Sequence, residues 1–141
     1  MPRWRLPPAE DRERGALSLM VAIVALAALI LIGLAFDGGK KAQATQRAVA
    51  VADEAARAGG QAVTSEAVIG EGSAAVDVSA AVAAAQSYLS AAGVQGDISV
   101  TDGGRHLVVT TTIEFPTVFL GLIGIDVMTV TGTGEADLLG T

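Results

Sequence analysis

The chain has 141 residues, a formal net charge of -6 and no cysteine, which excludes a disulfide framework, a thiolate metal site and a cysteine nucleophile. Eight of the nine Lys and Arg lie at or before Arg57; beyond it Arg105 alone faces nine carboxylates, a balance that repels nucleic-acid phosphates and leaves no nucleic-acid partner expected. Composition is 51% hydrophobic but only 4% aromatic, so any core is built from small side chains and the globular part is modest.

Residues 1–15 are polar and Pro-containing and read as a disordered cytoplasmic leader. Residues 16–36 carry no charge, and Ser18 is their only hydroxyl. As a helix these residues rise about 31 Å, enough for a hydrocarbon core of roughly 30 Å, and they are apolar on every face. A cleaved signal has a shorter apolar region followed by a small-x-small site, whereas this run ends in Phe36-Asp37-Gly38-Gly39-Lys40-Lys41. The run is therefore read as a retained single-pass anchor in the cell membrane. Arg3, Arg5, Arg12 and Arg14 before it outnumber Lys40, Lys41 and Arg47 after it, which places the amino terminus in the cytoplasm and the carboxy-terminal part outside.

Residues 37–63 resume a helical pattern. Thr45, Val49, Ala52, Ala56, Gly59 and Val63 recur at spacings of 4, 3, 4, 3 and 4, a heptad-like stripe of small residues suited to close helix packing. The stripe suits either a helix lying on its own domain or a stalk that prolongs the membrane helix; the stalk, bent at the Gly38-Gly39 pair, is the favoured reading. Asp53 and Arg57 are placed to pair on the outer face. Residues 64–76 lack period and read as a linker.

Residues 77–141 read as a small α+β head. A helix starts with Asp77 or Ser79 as its cap, shows Val82, Ala85, Tyr88 and Leu89 on one face, and stops at Gly93. The period then changes to two. Ile98 and Val100 mark one strand, Asp102-Gly103-Gly104 a turn, and Leu107, Val109, Thr111, Ile113 and Phe115 one face of a second strand. Residues 126–138 give a third strand, weakened by Gly132 and Gly134. The expected fold is one helix on a three-stranded antiparallel sheet. Between the last two strands PTVFLGLIGI has Thr117 as its only polar side chain. Ten residues are too few to span a bilayer. Phe119, Leu120, Leu122, Ile123 and Ile125 either fold back to complete a small core or form a surface that docks to membrane lipid or to a partner subunit.

Catalytic groups are sparse. His106 is the only histidine and falls on the strand face opposite Leu107. No nucleophile elbow accompanies the serines, and TGTGEA and GEGSAA lack the lysine and setting of a phosphate cradle. The chain is read as structural rather than enzymatic, with no cofactor, metal or small-molecule substrate expected.

RGALSLMVAIVALAALILIGLAFDGGKK, the Ala-rich RAVAVADEAARAGGQAV and the carboxy-terminal TVTGTGEADLL together resemble TadE/TadG-like proteins of the tight-adherence (Flp) pilus system, of the kind encoded by actinobacteria. The resemblance covers most of residues 14–139; Arg14-Gly15 before the run and Asp37-Gly-Gly-Lys after it are its sharper marks. It implies a pilin-like fold, a minor pilin-like role in pilus assembly or secretion, and membrane subunits of that apparatus as partners. The alternative function is a membrane-anchored binding module unrelated to pili. Prepilin-type cleavage would fall after Gly15, leaving Ala16 first. The fifth position beyond Gly15, Glu in such substrates, is Met20 here. That departure favours a membrane-held accessory role over a major filament subunit.

Overall fold

A computed structural model of the chain describes residues 9–69 and 78–138. Helix α1 (Ala9–Ile69) is followed by α2 (Val78–Ala92), β1 (Gln95–Thr101), β2 (His106–Pro116) and β3 (Val127–Asp137). The strands form one antiparallel sheet in the order β1-β2-β3. This is the α+β class expected, with a long apolar helix, a second helix and a three-stranded sheet; residues 48–63, favoured as a stalk, instead lie on the chain's own sheet, so two helices cover it rather than one.

Helix α1 is a single assigned helix of 61 residues. Among the described residues it is the one helix long and apolar enough to cross a membrane, with a mean hydropathy of 3.0 over its most apolar stretch. The large side chains of residues 17–36 are 52–68% exposed. Gly38 and Gly39 lie inside the helix and do not interrupt it. The helix begins at Ala9, so the end of the leader expected to be disordered is helical; residues 1–8 lie outside the described residues. It also continues to Ile69, into the segment read as a linker, whose remainder from residue 70 lies outside the described residues, as does Asp77. Arg57 reaches Glu54 (Nε to Oε2, 4.0 Å) rather than pairing with Asp53. Glu54 is one residue nearer along the same exposed side.

Both helices lie on one face of the sheet. Strand alternation turns Leu107, Val109, Thr111 and Phe115 of β2 and Val130, Gly132 and Gly134 of β3 inward. They meet Ala48, Ala52, Ala55, Ala56 and Val63 of α1, and Ala81, Ala85 and Leu89 of α2. The core is thus an alanine surface laid on a sheet. Gly132 and Gly134 bring β3 against the helix backbone: a Cβ on Gly132 would overlap Ala48 and Val49, and one on Gly134 would overlap Ala52 and Asp53. The buried hydroxyl of Thr111 donates to the Ala48 carbonyl at 2.8 Å, tying β2 to α1 across the same seam.

Local chemistry sets the turns. Gly93, at φ +65°, ends α2 by donating its N–H to Ser90 O (3.2 Å) while the Val94 N–H reaches Leu89 O (3.1 Å). This paired capping pattern needs a left-handed residue, and glycine supplies it without a Cβ penalty. In the β1–β2 turn, Asp102 takes a positive φ of 52°, a conformation Asp tolerates better than most residues. Its carboxylate receives Arg105 Nη2 at 3.0 Å.

Candidate functional site

The segment joining β2 to β3 carries the least expected chemistry of the head. Thr117 closes its neck: the Thr117 N–H donates to Asp126 O at 3.0 Å and its hydroxyl donates to Ile125 O. Inside the neck the chain makes a 3-10 turn (Leu120–Ile123), ended by Gly124 at φ +90°. The Gly124 N–H returns to Gly121 O (3.1 Å) and the Ile125 N–H to Leu120 O (3.0 Å).

A helical turn leaves its first N–H groups without partners inside the turn. Here α1 supplies the acceptor. The Asp37 carboxylate takes the N–H of Val118 on Oδ1 at 2.9 Å, and those of Phe119 and Leu120 on Oδ2 at 2.9 and 2.8 Å. The Asp37 residue is only 2% exposed. Burial by itself pushes its pKa up. The three backbone donors, helped by nearby Lys40, outweigh that and hold the carboxyl below its ordinary 3.8. One turn earlier Gly33 leaves room for the Phe119 ring, which a Cβ at that position would overlap. Phe119 also meets Phe36 edge to face, with ring centroids 6.2 Å apart, and Lys40 Nζ lies 5.2 Å from the centre of the Phe36 ring. Gly33, Asp37, Ala48, Ala52, Ala56, Gly59 and Val63 are all buried, so one face of α1 carries first the loop and then the sheet.

The structure divides the residues singled out from the sequence. Phe119 and Leu120 are half-buried at the α1 contact, while Leu122, Ile123 and Ile125 are exposed at 83, 73 and 45%. Of the stripe, Ala52, Ala56, Gly59 and Val63 are buried against the chain's own sheet and α2, and Val49 is exposed. Thr45 is half-buried and turns its hydroxyl back to Lys41 O at 2.9 Å. Ala48 and Ala55 belong to the buried face and were not in the stripe. Gly15 sits within α1 with open space around it, and Ala16 beside it is exposed. Asp37 is the residue that sequence reasoning missed as a site. Its signal was a lone carboxylate at the mouth of an apolar run, 80 residues and more from the amides it binds.

At the far end of the sheet His106 is bracketed by carboxylates, with Nδ1 2.9 Å from Asp137 Oδ1 and Nε2 3.3 Å from Glu135 Oε2. Hydrogen bonding to Asp137, then to Glu135, raises its pKa above the ordinary 6.5. A raised pKa in the folded state means that the contribution is fully present below about pH 6.5 and fades as pH rises through the folded value. The His106 ring resonance should titrate with a midpoint above 6.5, and Asp137→Asn should bring the midpoint back down. An unshifted midpoint in the wild-type protein would contradict the bracketed geometry.

A cleft of about 410 Å³ lies elsewhere, lined by Arg47, Gly93, Val94, Gln95, Thr112, Ile113 and Glu114. Arg47 and Glu114 are its only charged members, so it gathers no acid–base pair with a nucleophile. Among the described residues no group of three or more His, Asp or Glu is placed to hold a metal ion.

No match was found among curated proteins or among solved structures. Residues 15–62 match a family model, Tad, described as Putative Flp pilus-assembly TadE/G-like. The matched segment begins at Gly15, takes in the apolar run, Asp37 and most of the sheet-facing part of α1, and includes no strand. Through this segment, about a third of its length, the chain is similar to the TadE/G-like family of Flp pilus assembly.

Proposed function

We propose that the chain is a single-pass envelope protein serving Flp pilus assembly as a minor pilin-like component, with other membrane subunits of the apparatus as its partners. Its role is structural rather than catalytic. The observation that carries this reading is the family match over residues 15–62 falling on one helix that runs from the apolar segment into the core of the head. Such a helix suits a protein that holds or passes on position within a membrane assembly. Met20, where prepilin substrates have Glu, supports a membrane-held subunit. The Arg-rich amino-terminal flank supports a cytoplasmic amino terminus with the head outside.

The test has three readouts on the full chain in its own cells. The tagged protein should stay in carbonate-washed membranes. Protease added to spheroplasts should remove a carboxy-terminal tag and spare an amino-terminal one. Cells lacking the protein should lose surface pili, and cross-linking in intact cells should join it to other pilus subunits. Normal pilus numbers without the protein, together with no such cross-link, would overturn the assembly role. A soluble form lacking residues 16–36 would overturn the anchor.

A further inference from the structure

We infer that the loop at residues 118–125 is a lipid-interface foot: it sits in the headgroup layer beside the end of the membrane helix, held there by the Asp37 clasp on its backbone. The inference rests on the reading of residues 16–36 as a membrane span and adds a second point of membrane contact to it.

The first observation is where apolar surface remains. Outside the apolar run, the large hydrophobic side chains left exposed among the described residues are Val49, Tyr88, and five between 118 and 127: Val118, Leu122, Ile123, Ile125 and Val127. Beyond Val127, at the loop end of β3, the open face of that strand is polar, presenting Thr129, Thr131, Thr133, Glu135 and Asp137. Exposure is therefore concentrated in one loop, as at an interaction surface.

The second observation is depth, which identifies the occupant. The Phe119 ring packs on Gly33 and Phe36. At 1.5 Å per residue, Gly33 lies about 4.5 Å inside the end of the apolar run. A run of this length fills the hydrocarbon layer, so a loop seated on its last turn is level with the membrane boundary. Leu122 and Ile123 belong to the same 3-10 turn that starts beside Phe119. Their apolar surface is thereby continuous with that of the span, and the one covering common to both is lipid.

The third observation is charge. Lys40 and Lys41 follow one turn beyond Phe36, where ammonium groups meet headgroup phosphates while their stems remain along apolar surface. Apolar side chains below and lysines above form the pattern of an interfacial anchor. Asp37 does not oppose it, since its carboxylate is covered and its oxygens are taken up by three amides.

The chain has no cysteine, so Leu122→Cys provides a single thiol for an environment-sensitive fluorophore. The full chain is placed in vesicles of phosphatidylcholine and phosphatidylglycerol that contain lipids spin-labelled either near the headgroup or at the chain end. Leu26→Cys in the apolar run and Thr133→Cys on the open sheet face serve as references. The fluorophore at 122 should lose most of its emission to the shallow label, that at 26 should respond to the deep label, and that at 133 to neither. Quenching at 26 with none at 122 would overturn the foot and leave the span intact. No quenching at 26 would overturn the span reading and the foot with it. A thiol at 122 that is shielded from lipid and cross-links to a second copy would show that protein covers this surface, which also overturns the inference. Ile123→Cys repeats the measurement at a second exposed position, so the result does not depend on one variant folding.

Discussion

Alanine at both Gly132 and Gly134 should strongly destabilise the head. Each added Cβ would meet helix backbone, at Ala48 and Val49 for one and at Ala52 and Asp53 for the other. A flexible side-chain end can swing aside, but a backbone inside a 61-residue helix moves only if the helix moves. Lifting α1 off β3 opens the seam along Ala48, Ala52, Ala55 and Ala56, all of which are fully buried. Overpacking of this kind costs about 1–3 kcal/mol at each site, against about 5–15 kcal/mol for a whole domain. Helix displacement couples the two sites, so their effects do not simply add. Amide exchange in β2 should accelerate in either single variant and accelerate further in the double one. Wild-type protection in the double variant would mean that α1 and β3 are not in direct backbone contact.

Asp37→Ala should free the loop while leaving the sheet folded. The amides of Val118, Phe119 and Leu120 lose their acceptor, and each should exchange at least about tenfold faster, the equivalent of one ordinary hydrogen bond. Amides at Val109 and Thr111, on the far side of the α1 seam, should keep their rates. The wild-type clasp also has a predictable pH dependence. Because the folded pKa lies below the ordinary 3.8, the contribution of Asp37 is present above that value and is lost as pH falls through the lowered one. Protection at the three amides should therefore survive to about pH 3.8 and collapse only below it. Asn at position 37 retains one acceptor oxygen and should fall between Asp and Ala. Unchanged exchange in the alanine variant would show that packing of Phe119 on Gly33 suffices to seat the loop.

Much of the architecture is visible in local pattern. The alternation of β2, the Asp-Gly-Gly turn and the stop at Gly93 each depend on residues close together in sequence, and the structure has them within a residue or two of the expected places. What escaped notice depends on partners far along the chain. Gly132 and Gly134 look like strand weakeners when read alone, yet they are the points where a helix from the other end of the chain touches down. A strand's own sequence carries no record of what lies over it. Asp37 reads as a flanking charge after an apolar run, because its partners are backbone amides, which have no sequence signature. The small-residue stripe was located in outline, but its phase drifted: Val49 is exposed and Ala48 is buried, since a helix of mostly Ala and Val offers little contrast between its faces.

The same seam governs when the head can form. Helix α1 is made before β3, with α2, β1 and β2 between them, yet the core closes only when Gly132 and Gly134 meet Ala48 and Ala52. Contacts between distant parts of a chain cannot form until both parts are present and free to meet. Until β3 arrives, the segments that follow α1 wait as an open chain with no closed core. A product truncated before β3 leaves the alanine face of α1 bare, and a protease can distinguish it from the folded protein by that face alone.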